Sequence, residues 1–93
     1  METIVKEDED IDAKVKDLVE NSYQIILIND EVNSFEHVID CLIKYCKHTE
    51  EQAEQCATIV HHNGSCSVKQ GSYNKLEPIC TALLDHGLKS EIS

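Results

Sequence analysis

The 93-residue sequence predicts an α+β fold, a small three-stranded sheet with three helices packed on one face in the order β-α-α-β-α-β. Three observations lead there. A short β-branched and aromatic run, Tyr23-Gln24-Ile25-Ile26-Leu27-Ile28, stops at the turn pair Asn29-Asp30. Three stretches with apolar residues at helical spacing follow it, each behind a residue suited to cap a helix. Two short segments, Cys66 to Gly71 and Leu88 to Ile92, sit where further strands would complete the layer. The length suits one domain with one modest core.

Each element has its own local reason. The first strand is expected over Tyr23 to Ile28. Asn33 then opens a helix as its cap, with Glu36 three residues later as the reciprocal partner of a capping box. Phe35, Val38, Ile39, Leu42, Tyr45 and Cys46 recur along it at helical spacing, and His48-Thr49 closes it. Thr49 caps the second helix with Gln52 as its partner, and Glu50 and Glu51 complement the positive end of the helix dipole. Ala53, Cys56, Ala57 and Val60 form its apolar stripe, and Asn63-Gly64 supplies a left-handed stop. Cys66 to Gly71 alternates weakly and reads as a short strand. Ser72 caps a third helix carrying Leu76, Ile79, Cys80, Leu83 and Leu84. Pro78 falls within it, where an interior proline removes a hydrogen bond, so the helix either kinks there or becomes regular near it. Gly87 ends it, and Leu88 to Ile92 forms the last strand.

The formal net charge of −10 is unevenly placed. Residues 1–22 hold eight acids and three lysines, a net of −5, and the remaining 71 residues hold ten acids and five lysines. The block Glu7-Asp8-Glu9-Asp10 repels itself, so 1–22 reads as an acidic flexible tail ahead of a domain at 23–93. Ile11, Val15, Leu18 and Val19 could line a transient amphipathic helix within it. An acidic chain with four aromatic residues disfavours nucleic acid. No apolar run approaches the roughly 20 residues that span a bilayer, and the N-terminus has no basic start or apolar core of a secretory signal. The expectation is a cytoplasmic monomer with no membrane contact. Five cysteines, an odd number without a secretory signal, read as free thiols in a reducing compartment.

Three sets of residues could carry chemistry. The turn Ile28-Asn29-Asp30-Glu31 joins a strand to a helix, a place where polar side chains are held firmly, although Asn and Asp are also ordinary turn residues. His61 beside His62 sits at a helix C-terminus, where the dipole alone favours it. Cys56, His61 and Cys66 could converge, but no Cys-x-x-Cys or His-x-x-x-His spacing demands a metal. A Cys–His nucleophile lacks any surrounding signature. Three isolated glycines make no phosphate loop. No cofactor, metal or catalytic residue is expected. A small Cys/His-dependent or metal-binding enzyme, and a generic acidic interaction domain, stand as the alternatives.

Taken together, two blocks resemble the ClpS family. The run from Tyr23 through Asn29-Asp30-Glu31 to Phe35-Glu36-His37-Val38-Ile39 is similar to that family's apolar strand, acidic turn and helix start. The run Glu54-Gln55-Cys56-Ala57-Thr58-Ile59-Val60-His61-His62-Asn63-Gly64 is similar to its Val-His-x-x-Gly segment. The resemblance covers about Tyr23 to Ile92. It implies a non-enzymatic adaptor that binds substrate proteins through a bulky hydrophobic N-terminal residue with a free α-amino group. It also implies delivery to a Clp AAA+ ATPase, ClpA- or ClpC-like, of a Clp protease, with the N-terminal arm taking part. Carried over residue by residue, Asn29, Asp30, Glu31 and His61 would bind the amine. Ile28, Asn33, Phe35, Val38, Ala57, Val60 and Leu88 would form the side-chain pocket. Glu31 stands where the family commonly has Asp, Asn33 where it commonly has Thr, and Ala57 where a larger apolar residue is common, with Phe35 at the usual gate position.

Overall fold

The computed structural model describes residues 22–93. Apart from Ser22, the acidic segment and its transient helix lie outside the described residues. The elements are β1 (Tyr23–Ile28), α1 (Phe35–Cys46), α2 (Glu50–Asn63), β2 (Ser65–Gly71), α3 (Tyr73–Asp85) and β3 (Lys89–Ile92). The β-α-α-β-α-β order is the one the sequence predicts.

The strand order is β2-β1-β3, with both neighbours antiparallel to β1. In β1, buried Ile25 and Leu27 alternate with half-buried Gln24, Ile26 and Ile28, so one sheet face packs on the helices. Those two residues join Leu42, Cys46, Leu76 and Leu83 among the most fully buried side chains. Cys41, Cys46 and Cys80 are buried and act as small core hydrophobes, while Cys56 and Cys66 are half-buried. The β1–β2 register shifts between Ile25 and Ile26, whose partners are Lys69 and Ser67. Val68 is therefore the extra residue of a bulge. Its side chain is buried, and its carbonyl accepts a hydrogen bond from His48 Nε2 at 2.6 Å.

Local chemistry fixes the helix ends, with one correction at the start of α1. Its N-cap is Ser34, not Asn33: the Ser34 hydroxyl accepts from the His37 N–H at 3.1 Å. Asn33 is already committed elsewhere, its amide bonded to Asp30 and to Gly87. The expected Asn33–Glu36 capping box is therefore not formed, because the cap lies one residue later and its third position is His37. α1 also ends sooner than expected, at Lys47 in the left-handed region (φ 60°) rather than at His48-Thr49. That conformation is uncommon for lysine. It lets the Lys47 and His48 N–H groups reach the Leu42 carbonyl. The Thr49–Gln52 capping box forms as predicted, and Gly64 (φ 94°) stops α2.

α3 is a continuous helix with Pro78 inside it. Pro78 and Asn74, the residue whose carbonyl a proline leaves unpaired, are both exposed, so water can serve that carbonyl. Among the described residues, no helix is long and apolar enough to cross a membrane.

Candidate functional site

A cavity of about 540 Å³ opens at the C-terminal end of β1. Four chain segments meet around it. β1 delivers Leu27 and Ile28, and the loop after it brings Asn29, Asp30, Glu31 and Asn33. The Asn29 N–H donates to the Gly64 carbonyl at 2.8 Å, so the loop leaves the strand against the end of α2. α1 adds Phe35 and Val38 from its first turns. α2 adds Ala57, Val60 and His61 from its last turns, and Leu88 enters just before β3.

All eleven residues named from the sequence line this one cavity. Leu27 lines it too and was not among them; the strand alternation that puts Leu27 on the core face beside Ile25 was the signal for it. The cavity is asymmetric. Leu27, Val38, Ala57, Val60 and Leu88 supply an apolar floor, in which Ala57 and Leu88 are 3% exposed. Ala57 is buried yet stands outside the core cluster. Phe35, 47% exposed, stands at the edge. Asn29, Glu31 and His61 are exposed and Asp30 half-buried, which makes a polar rim.

Asp30 organises that rim. Its Oδ1 accepts from the Val32 N–H at 2.9 Å, the Asn33 N–H at 2.9 Å and Asn33 Nδ2 at 3.0 Å. Its Oδ2 accepts from Asn33 Nδ2 at 2.9 Å. Burial pushes the Asp30 carboxyl up, but the Asn33 and Val32 hydrogen bonds, with the Lys89 charge, outweigh it and hold the group below its ordinary value of 3.8. Asp30 is thus a carboxylate at neutral pH with a free acceptor position on Oδ2, suited to a cation that donates hydrogen bonds.

The other chemistry weighed from the sequence has less behind it. Cys56 and Cys66 do share a hydrogen bond, but burial first and Cys66 second push the Cys56 thiol up to about 11. A thiol so held is a poor nucleophile at neutral pH. His61 packs edge-on against His62, with ring centres 5.3 Å apart. Among the described residues, no group of three or more His, Cys, Asp or Glu is gathered to hold a metal.

Known proteins share this frame. The family model for the ATP-dependent Clp protease adaptor protein ClpS matches residues 19–91. The ATP-dependent Clp protease adapter protein ClpS of Thermosynechococcus vestitus is 35% identical over 68 residues, covering 72% of each chain. Its counterpart in Synechocystis is 34% identical over 68 residues, covering 72% of this chain and 69% of that one. Among solved structures, Agrobacterium tumefaciens ClpS2 bound to L-phenylalaninamide superposes with a TM-score of 0.66 at 19% identity, over 76% of this chain and 93% of that one, a likeness of fold. The family match runs from before β1 into β3 and takes in both sequence blocks that build the cavity: this chain belongs to the ClpS family of ATP-dependent Clp protease adaptor proteins.

Proposed function

We propose that this chain binds substrate proteins through a bulky hydrophobic N-terminal residue with a free α-amino group and hands them to a Clp AAA+ ATPase of the ClpA or ClpC kind. Its family is one of adaptors, so the chain is a binding module and not an enzyme. The observation that carries the reading is the asymmetry of the 540 Å³ cavity, with an apolar floor and a carboxylate rim within one opening. An α-amino group has a pKa near ~8 and is largely cationic at neutral pH. Asn29, Asp30, Glu31 and His61 receive it, each charge-assisted hydrogen bond contributing on the order of 1.5–3 kcal/mol. Ile28, Asn33, Phe35, Val38, Ala57, Val60 and Leu88, with Leu27, enclose the first side chain, whose burial contributes about 1.5–3 kcal/mol. The structural neighbour bound to L-phenylalaninamide supports this reading, because that ligand combines a free amine with a benzyl side chain.

The adaptor works as a cytoplasmic monomer, with residues 1–22 as an acidic arm that takes part in delivery and 23–93 as the binding domain. The test is fluorescence anisotropy with three labelled peptides of one sequence, beginning with Phe, with Ala, or with N-acetylated Phe. Free Phe should bind at least tenfold more tightly than either control, a gap of about 1.4 kcal/mol. Asp30→Ala and His61→Ala should narrow it. Equal binding of all three peptides would remove the N-terminus reading.

A further inference from the structure

We propose that Asn33 is a positioning residue, whose one side-chain amide ties the Asp30 carboxylate to the Gly87 carbonyl and so holds the amine-binding rim in register with the pocket floor at Leu88. The role rests on the N-terminus reading for its ligand and on geometry for its mechanism.

The geometry is closed on every side. Asn33 Nδ2 lies 3.0 Å and 2.9 Å from the two Asp30 oxygens and 2.8 Å from the Gly87 carbonyl. An amide nitrogen has two hydrogens. One is shared across the carboxylate and the other goes to Gly87. The orientation of the amide follows from its surroundings: turned over, its oxygen would face two carboxylate oxygens and a carbonyl, all acceptors. The Asn33 backbone N–H adds another bond to Asp30 Oδ1. Oδ1 therefore has three donors and Oδ2 one, which leaves the open acceptor capacity on Oδ2.

The far end of the link is equally fixed. Gly87 sits at φ 86° in the turn between α3 and β3, directly before the floor residue Leu88. His37 Nε2 donates to the His86 carbonyl at 2.8 Å, and the Tyr45 hydroxyl meets His86 Nε2 at 3.0 Å. The turn is thus docked on α1, and Asn33 is the side chain that joins it to Asp30. Ordinary turn chemistry needs only the Asp30 bonds to the backbone at positions 32 and 33; the reach across 54 residues to Gly87 is beyond it.

The test compares Asn33→Ala, Asn33→Asp and Asn33→Ser in the full chain, with free-Phe and N-acetyl-Phe peptides read by anisotropy. Asn33→Ala should weaken free-Phe binding by about tenfold and N-acetyl-Phe binding by clearly less, because the acetylated peptide meets Asn33 only as part of the pocket wall. Asn33→Asp keeps the shape but turns a carboxylate toward the Asp30 carboxylate, so it should move the Asp30 titration to higher pH than Asn33→Ala does. Asn33→Ser has one proton for two acceptors and should fall between wild type and Ala. It also serves if Asn33→Ala does not fold.

A second readout needs no peptide: the Asp30 carboxyl titration followed by NMR. The groups around Asp30 are Lys89 at the start of β3, Glu31 in its own loop and His61 across the cavity. With these unchanged, losing the Asn33 amide should move the Asp30 titration to higher pH. Equal loss for both peptides, or an unmoved Asp30 titration, would overturn the positioning role. If the wild-type protein does not distinguish the two peptides, the N-terminus reading fails, and the titration alone judges the clamp.

Discussion

At the scale of single residues, Ala57 separates a pocket from a core. It is 3% exposed, lines the cavity and stands outside the core cluster. If its burial came from tight packing, Ala57→Leu would overpack and cost about 1–3 kcal/mol. The cavity beside it has room for the added carbons, so stability should change by less than about 0.5 kcal/mol in urea unfolding. The same side chain should take the volume a ligand needs and weaken free-Phe binding by about tenfold or more. A destabilised protein that still bound Phe would mean that Ala57 belongs to the core. Val60 and Leu88 do not offer so clean a test, since each belongs to both the cavity wall and the core cluster.

At the scale of elements, α2 and α3 are limited by different things. The Thr49–Gln52 capping box satisfies two N–H groups that the start of α2 would otherwise leave open. Thr49→Ala should cost about 1 kcal/mol. α3 carries the opposite liability, because Pro78 denies the Asn74 carbonyl its partner on the exposed face. Pro78→Ala restores that bond and removes the ring clash, worth up to about 3 kcal/mol. Against this, the unfolded chain regains the freedom proline removed, worth about 0.4–1 kcal/mol. The net should be a gain of about 1–2 kcal/mol by denaturant unfolding. Neither residue lines the cavity, so peptide binding should hold in both variants.

At the scale of the whole molecule, buried thiols set an alkaline limit on stability. Burial pushes Cys46 up to about 11 from its ordinary 9.0, and Cys56 moves equally far by burial and its Cys66 neighbour. In the unfolded chain both would ionise near 9.0. Below that pH the folded and unfolded states bind the same protons, and the contribution is complete. As pH rises from about 9 through 11, the unfolded state releases protons first, and stability is lost. Urea unfolding at pH 7, 9 and 10.5 should show the decline, and Cys46→Ala should flatten it relative to wild type. Cys56 is half-buried, so solvent screens it more and its share is smaller. An equally steep decline in Cys46→Ala would assign the loss to other groups, such as the self-repulsion of a chain that already carries −10 at neutral pH.

The sequence by itself determined the elements and most of their ends. The β-branched and aromatic run of β1, apolar spacing along α1 to α3, the Thr49 and Ser72 caps and the Gly64 stop are properties of neighbours within a few residues, so they can be read along a line. It also marked the segments that meet at the cavity, through the acidic turn and the block ending His61-His62-Asn63-Gly64. Only the tertiary structure decided what these segments do to one another. The β2-β1-β3 order and the Val68 bulge come from long-range pairing and burial, which no local pattern encodes. Asn33 is the sharpest case. Its residue type suits a helix cap, and the local pattern named it one. Its amide is instead drawn to Asp30 and to Gly87, 54 positions away, because only in the folded chain do those acceptors come within 3 Å of it.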